Sequence, residues 1–235
     1  MKLNGILGKG SGKLGSSVFA INSGEQILRE YNPRVSNPKT EAQVAQRAKF
    51  KLLSQLAAIF SGVYGFKKMG LVSARNQFVS ENMSAVTATA DGANVNLTEL
   101  LIAKGKKVLG ELTCENNAGG TVSAKVKADD ITGLSGVIFA FFKVNEEHEM
   151  KLVNRQLVTE TDNQGYYVAE NVTLEPAYVV YAYGVCFDSN AVRQQYGDVE
   201  FDQNSEGAEN SIIDKILSIA SATTESVAYY EVHME

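Results

Sequence analysis

The side chains through which this 235-residue chain could do chemistry are two histidines, two cysteines and a few acidic pairs, and their spacing suits no common reaction. A zinc site needs three or four His, Cys or carboxylate ligands, usually supplied in part by closely spaced pairs. His148 stands in Glu146-Glu147-His148-Glu149 with no second His or Cys pair near it, which reads as a charged hairpin turn; His233 lies close to the last residue. Asp129-Asp130 and Asp162-Asn163 carry oxygens suited to calcium, yet the same residues are ordinary turn formers. The serines lack a G-x-S-x-G elbow, and neither Cys114 nor Cys186 has a histidine beside it in sequence. Both cysteines sit in strand-like runs without zinc-type spacing and read as buried free thiols. Gly8-Lys9-Gly10-Ser11-Gly12-Lys13 has the composition of a phosphate loop but not its GxxxxGK[ST] pattern, since Leu14 follows Lys13. The expectation is a protein that is not an enzyme and takes no cofactor or metal.

What the residues offer instead is charge. The net of −5 divides into +8 over residues 1–83 (12 Lys and Arg, 4 Asp and Glu) and −13 over residues 84–235 (10 against 23). The basic part could bind nucleic acid, another acidic surface, or the acidic part of a neighbouring copy; two solvated surfaces of opposite sign are the plain alternative. The residues expected to make such contacts are Lys9, Lys13, Arg29, Arg34, Lys39, Arg47, Lys49 and Lys51. Residues 198–235 carry nine acids against Lys215 alone and are a candidate partner for a basic arm. No apolar run approaches the roughly 20 residues of a membrane span, and Met1 to Gly8 lacks the long apolar core of a secretory signal, so no membrane partner is expected.

These charges need elements to position them. Residues 1–15 interleave five glycines with three lysines and have few ways to bury a core of their own. Ser17 to Ile21 and Glu25 to Tyr31, separated by Asn22-Ser23-Gly24, read as a hairpin. Pro33 and Pro38 hold an extended connection. It leads to Thr40-Glu41-Ala42-Gln43, a capping box in which Thr40 caps the Gln43 amide and the Gln43 side chain reaches back. From Val44 onward Ala48, Leu52, Leu56, Ile59, Phe60 and Val63 recur at helical spacing, opposite Gln43, Arg47, Lys51 and Ser54. A second, shorter helix is expected over Ser73 to Ser80.

Beyond Met83 the spacing becomes that of strands. Short runs, of which Val137 to Phe142 and Tyr178 to Val185 are the most apolar, alternate with turn signals such as Asp162-Asn163-Gln164-Gly165 and Asp188-Ser189-Asn190. Asp202 to Gly207 reads as a polar linker, Ile212 to Ala220 as a short amphipathic helix and Val227 to Val232 as a last strand. The expected fold class is α+β, mainly β: an N-terminal β-hairpin arm plus helix pair, followed by an immunoglobulin-like β-sandwich. The expected divisions are 1–83 (arm, hairpin and helices), 84–202 (sandwich) and 203–235 (acidic extension with a short helix).

Three places carry a resemblance to a family. They are Gly5-Ile6-Leu7-Gly8 with Gly12-Lys13-Leu14-Gly15 and Val18; Thr40-Glu41-Ala42-Gln43 with Gln46-Arg47 and Lys49-Phe50; and Asn96-Leu97 through Leu100-Leu101-Ile102-Ala103-Lys104-Gly105. In these the chain resembles the uncharacterised domain of unknown function 6266 family of Bacteroidota and their phages and prophages. The resemblance brings no catalytic residue or cofactor; its genomic company implies a virion or assembly component. The function expected is that of a structural protein acting by self-assembly or docking through its basic arm, with nucleic-acid binding by the same region as the alternative. The expected partners are copies of itself or other virion proteins, and the expected location is the host cytoplasm during folding and then the virion.

Overall fold

The computed structural model describes residues 11–22, 25–34, 39–66, 72–104, 107–108, 112–117, 121–131, 133–145, 147, 149–173, 179–199, 201, 208–219, 222–223 and 228–231. The chain forms two compact units, Met1–Thr40 and Glu41–Glu235.

In the first unit, strands β1 (Gly12–Leu14), β2 (Ser17–Asn22) and β3 (Glu25–Glu30) form an antiparallel sheet in the order β1-β2-β3. The hairpin of β2 and β3 follows the alternation of Val18, Ala20 and Ile27 against Phe19, Ile21 and Leu28. Strand β1 is an addition that the glycine-rich sequence did not signal. It is joined to β2 through Gly15, whose φ of +59° lies in the left-handed region that favours glycine. Gln26 is the one described residue of this unit that is buried, so the sheet has no hydrophobic core of its own.

The second unit opens with α1 (Glu41–Ile59), which starts directly after Thr40 and runs into a 3-10 turn at Phe60–Gly62. Helix α2 (Ala74–Glu81) begins at Ser73, whose side chain accepts the Asn76 amide at 3.2 Å, as an N-cap should. Next come the hairpin β4 (Val86–Ala88) and β5 (Ala93–Val95), a 3-10 turn at Leu97–Glu99, and β6 (Lys107–Val108). The strands β7 (Leu112–Asn117), β8 (Thr121–Lys127), β9 (Gly136–Val144), β10 (Met150–Val158), β11 (Tyr166–Thr173) and β12 (Val179–Phe187) follow. Helices α3 (Ser189–Tyr196) and α4 (Ala208–Leu217) and strands β13 (Ala222–Thr223) and β14 (Ala228–Glu231) complete the described chain.

Two sheets dominate: β11-β8-β7 and β10-β9-β12-β14, with all pairs antiparallel. The central strands β9 and β12 are buried on both faces, as their unbroken apolar runs imply. One face, with Val137, Phe139, Phe141, Val180, Ala182 and Cys186, packs against Leu112, Val122, Ala124, Val126, Ala169 and Val172 of the smaller sheet. The other face, with Ile138, Ala140, Phe142, Tyr183, Val185 and Phe187, packs against the helices. The unit is therefore layered: helices, four-stranded sheet, three-stranded sheet.

Phe60 is the joint between helices and sheet. Its ring is fully buried, 4.5 Å from Phe142, 5.2 Å from Tyr183 and 5.8 Å from Phe78 of α2, centroid to centroid. The buried stripe of α1 is Leu53, Leu56 and Ala57, continued by Phe60 of the 3-10 turn; it is turned from the expected line through Ala48 and Leu52, and no residue of 41–50 is buried. The expected boundary between 83 and 84 thus falls inside the second unit, because α1, α2 and the sheet bury their apolar surfaces in one core. The stretch 203–235, read as an appended acidic extension, gives Ile212, Ile213, Ile216 and Leu217 to that same core. The expected linker, residues 202–207, lies outside the described residues.

Two polar devices tie the loops down. Buried Asn82 accepts the Leu101 amide at 2.7 Å and donates to the carbonyls of Leu101 (2.8 Å) and Phe78 (2.9 Å), satisfying backbone groups that would otherwise be orphaned. Arg155 on β10 donates to the Gly62 carbonyl and to Asp214 of α4, each at 2.7 Å, joining helix ends to the sheet edge. No described helix is long and apolar enough to cross a membrane.

Candidate functional site

The residues expected to make contacts divide between the two units. Lys9 lies outside the described residues. In the first unit the register sets Lys13, Val18 and Arg29 in one row across the three strands, so Lys13 and Arg29 share a face. Lys13 Nζ stands 3.7 Å above the Tyr31 ring, a cation–π contact that orients the ammonium. The opposite face carries Leu14, Phe19, Ile21 and Leu28, and of these Leu14 is 72% and Ile21 47% exposed. The small sheet thus sets its cations beside Val18, Ala20 and Ile27 on one face and leaves Leu14 and Ile21 exposed on the other. Arg34 follows in an exposed turn whose amide donates to Asn32 Oδ1 at 3.0 Å. Lys39 takes a φ of +49°, a strained value for a side chain with a Cβ, directly before the division between the units.

Arg47, Lys49 and Lys51 lie on α1. Helical spacing puts Arg47 and Lys51 on one face, four residues apart, while Lys49 falls on another face and is half-buried. Between the first two stands Phe50, 56% exposed, with which they line a depression of about 560 Å³ together with Gln43 and Gln46. Charge counting alone missed Phe50: it is a large apolar residue on the polar side of the helical repeat, which is the signal that could have found it.

The second feature of the unit Glu41–Glu235 is an apolar groove of about 710 Å³. Its floor is the end of the four-stranded sheet, where Met150, Val144 and Val179 stand in register across β10, β9 and β12. One wall is Leu52, Leu56 and Ile59 of α1, and the other is Val95 and Leu97. It exists because the aromatic cluster of Phe60, Phe142 and Tyr183 fills the layer between α1 and the sheet at one end only, and smaller side chains continue beyond it. The Tyr183 hydroxyl is itself consumed by the Leu97 carbonyl at 3.0 Å, and burial raises its pKa well above the ordinary phenol value, so it stays a donor. Gln55, Glu149 and Lys151 sit at the mouth, all exposed, and the last two form an ion pair at 3.6 Å. Leu52 and Ile59, expected on the core stripe, are in fact its half-buried flank and line this groove.

Of the residues considered for catalysis, His148 and His233 lie outside the described residues. Among the described residues no group of three or more His, Cys, Asp or Glu stands close enough to hold a metal. Asp162 serves its turn, accepting the amides of Gln164 and Tyr166 at 2.8 Å each. Cys186 is buried in the core between the sheets and half-buried Cys114 packs against it, with no disulfide between them; burial pushes Cys114 up to about 12 and Cys186 higher still, so neither is a nucleophile at neutral pH. Compared with protein-family models, with curated proteins and with solved structures, the chain gives no match, so the reading of its function rests on this geometry.

Proposed function

We propose that the protein is a structural component that works by self-assembly, its N-terminal unit Met1–Thr40 docking on another subunit. The observation that carries this is the small sheet without a core among the described residues: three short strands, one buried described residue, and a face on which Leu14 and Ile21 are exposed. A sheet of this size is marginal alone, and exposed apolar residues on a sheet with open edges are the usual mark of a surface that pairs with another. Charge supports the same reading. Residues 1–40 hold six Lys and Arg against two Glu, a net of +4, which leaves −9 on residues 41–235 of a chain whose total is −5. Copies would meet arm to body more readily than body to body.

The larger unit is read as an immunoglobulin-like sandwich carrying a helical layer. The reading takes β7, β8, β9, β10, β11, β12 and β14 as strands A, B, C, C′, E, F and G, and the sheet orders β11-β8-β7 and β10-β9-β12-β14 support it. A place in a virion or its assembly is proposed from the resemblance in the three N-terminal stretches alone. Sedimentation across a concentration series tests the self-assembly reading. The full chain should form a defined oligomer, and Leu14→Glu with Ile21→Glu should leave a monomer with unchanged circular dichroism. A full chain that stays monomeric at every concentration would contradict the proposal.

A second reading, nucleic-acid binding, is favoured by the group of Arg47, Phe50 and Lys51, since cations beside an exposed ring suit phosphate contact and base stacking. Fluorescence anisotropy with a labelled single strand at two salt concentrations separates the two. This reading predicts steep salt dependence and loss of binding in Phe50→Ala.

A further inference from the structure

The self-assembly reading leaves open where the arm lands, and two features of the structure answer each other. Leu14 is the last residue of β1, 72% exposed beside the turn of Gly15 and Ser16, a turn closed through Gly15 and by the Tyr31 amide, which donates to the Ser16 carbonyl at 2.7 Å. The groove on Glu41–Glu235 is open and apolar, walled by Leu52, Ile59 and Val95 and floored by Met150, Val144 and Val179. We propose that this groove receives the β1–β2 turn of a second copy of the chain, with Leu14 as the side chain that enters it. The inference rests on the self-assembly reading and adds the surface on which assembly occurs.

The chemistry of the groove favours a protein side chain over a small ligand. Small-molecule sites fix orientation with a few placed polar groups. Apart from Tyr181, the polar residues lining this groove are Gln55, Glu149 and Lys151, and all three sit exposed at its mouth rather than in its floor. An aliphatic knob needs no such groups. Charge favours the arm of a second copy as occupant: residues 1–40 carry a net +4 against −9 on residues 41–235, and beside the Glu149–Lys151 pair at the mouth the β9–β10 turn adds Glu147.

The test is a site-specific cross-link in the full chain. Benzoylphenylalanine is placed at position 14 of an unlabelled copy, which is mixed with a ¹⁵N-labelled copy, irradiated and mapped by mass spectrometry. The expected products join position 14 of one copy to residues 52–59 or 144–151 of the other, and Met150→Glu should abolish them while weakening association by about tenfold or more, because it sets a carboxylate where an apolar contact forms. If oligomers form but position 14 cross-links elsewhere, the groove assignment is wrong and the self-assembly reading survives. Cross-links confined to one isotope overturn the second copy as occupant and leave the chain's own arm in its place. A small apolar molecule retained in native mass spectra, with no cross-link to the groove, overturns the assignment in favour of a ligand site. A chain that is monomeric throughout overturns both.

Discussion

Replacing Phe60 by alanine tests whether helices and sheet are one cooperative body. Phe60 is fully buried at the end of α1 and touches a ring from β9, one from β12 and one from α2, at centroid distances of 4.5, 5.2 and 5.8 Å. Truncating a core phenylalanine costs about 3–5 kcal/mol. Three aromatic neighbours place this one in the upper half of that range, since such pairs add about 0.5–1.5 kcal/mol beyond area burial. For a unit the size of Glu41–Glu235 each kcal/mol lowers the midpoint by about 2–4 °C, so Phe60→Ala should melt roughly 8–20 °C below the parent chain. The assay is a thermal scan followed at once by far-ultraviolet circular dichroism and by tyrosine signals, the chain having ten tyrosines and no tryptophan. Both probes should shift together. A loss below about 1 kcal/mol, or a helical transition that moves while the sheet transition stays, would refute a shared core. Phe50→Ala, on the exposed side of the same helix, should lie within about 0.5 kcal/mol of the parent and serves as the control.

Other expectations follow from single sites. Gly136→Ala would set a Cβ 2.5 Å from the Val158 carbonyl oxygen and 2.9 Å from Phe187 Cε1, so it should cost about 1–3 kcal/mol by overpacking in a denaturant titration, despite alanine's small size. Asn82→Leu strands the Leu101 amide and should cost about 1–3 kcal/mol, with that amide losing its hydrogen-exchange protection first. Asp214→Asn should cost less than about 1 kcal/mol, because its carboxylate is 65% exposed, whereas Arg155→Met should cost more by also releasing the Gly62 carbonyl; urea titration of both variants checks the order. The buried thiols give a pH dependence. Their folded pKa values lie above the ordinary 9.0, so the stabilisation is complete below the unfolded value and is lost as pH rises towards about 12, where Cys114 ionises when folded. Stability measured between pH 8 and 11 should fall, and fall less in Cys114→Ala.

The sequence was most legible where one physical rule dominated. Val137 to Phe142 and Tyr178 to Val185 are too apolar for anything but strands covered on both faces, and they are β9 and β12 at the centre of the larger unit. The start of α1 after Thr40 and the hairpin of β2 and β3 follow from local chemistry that needs no tertiary context. Helix α3 was hidden because its start, Asp188-Ser189-Asn190, is equally a turn, and with Val192 alone buried it has no apolar stripe to betray it. Leu100 to Ala103, apolar enough for a strand, is instead a buried loop held by Asn82 and a single bridge from Gly65 to Ala103, a partnership set by residues 18 or more positions away. The groove was illegible for a related reason: Leu52 and Ile59 share the spacing of the core stripe, and the rotation that leaves them on its flank is decided by Phe60 packing on Phe142.

The measurement that bears most directly on self-assembly is the mass of the purified full chain, free of nucleic acid, beside a chain that starts at Asn32. Both hydrophobic clusters are built from residues beyond Thr40, so the shortened chain should keep its fold. A defined oligomer is expected for the full chain, and a folded monomer for the shortened one at the same concentration. Oligomers of equal mass from both chains, or monomers from both, would contradict assembly through the N-terminal unit.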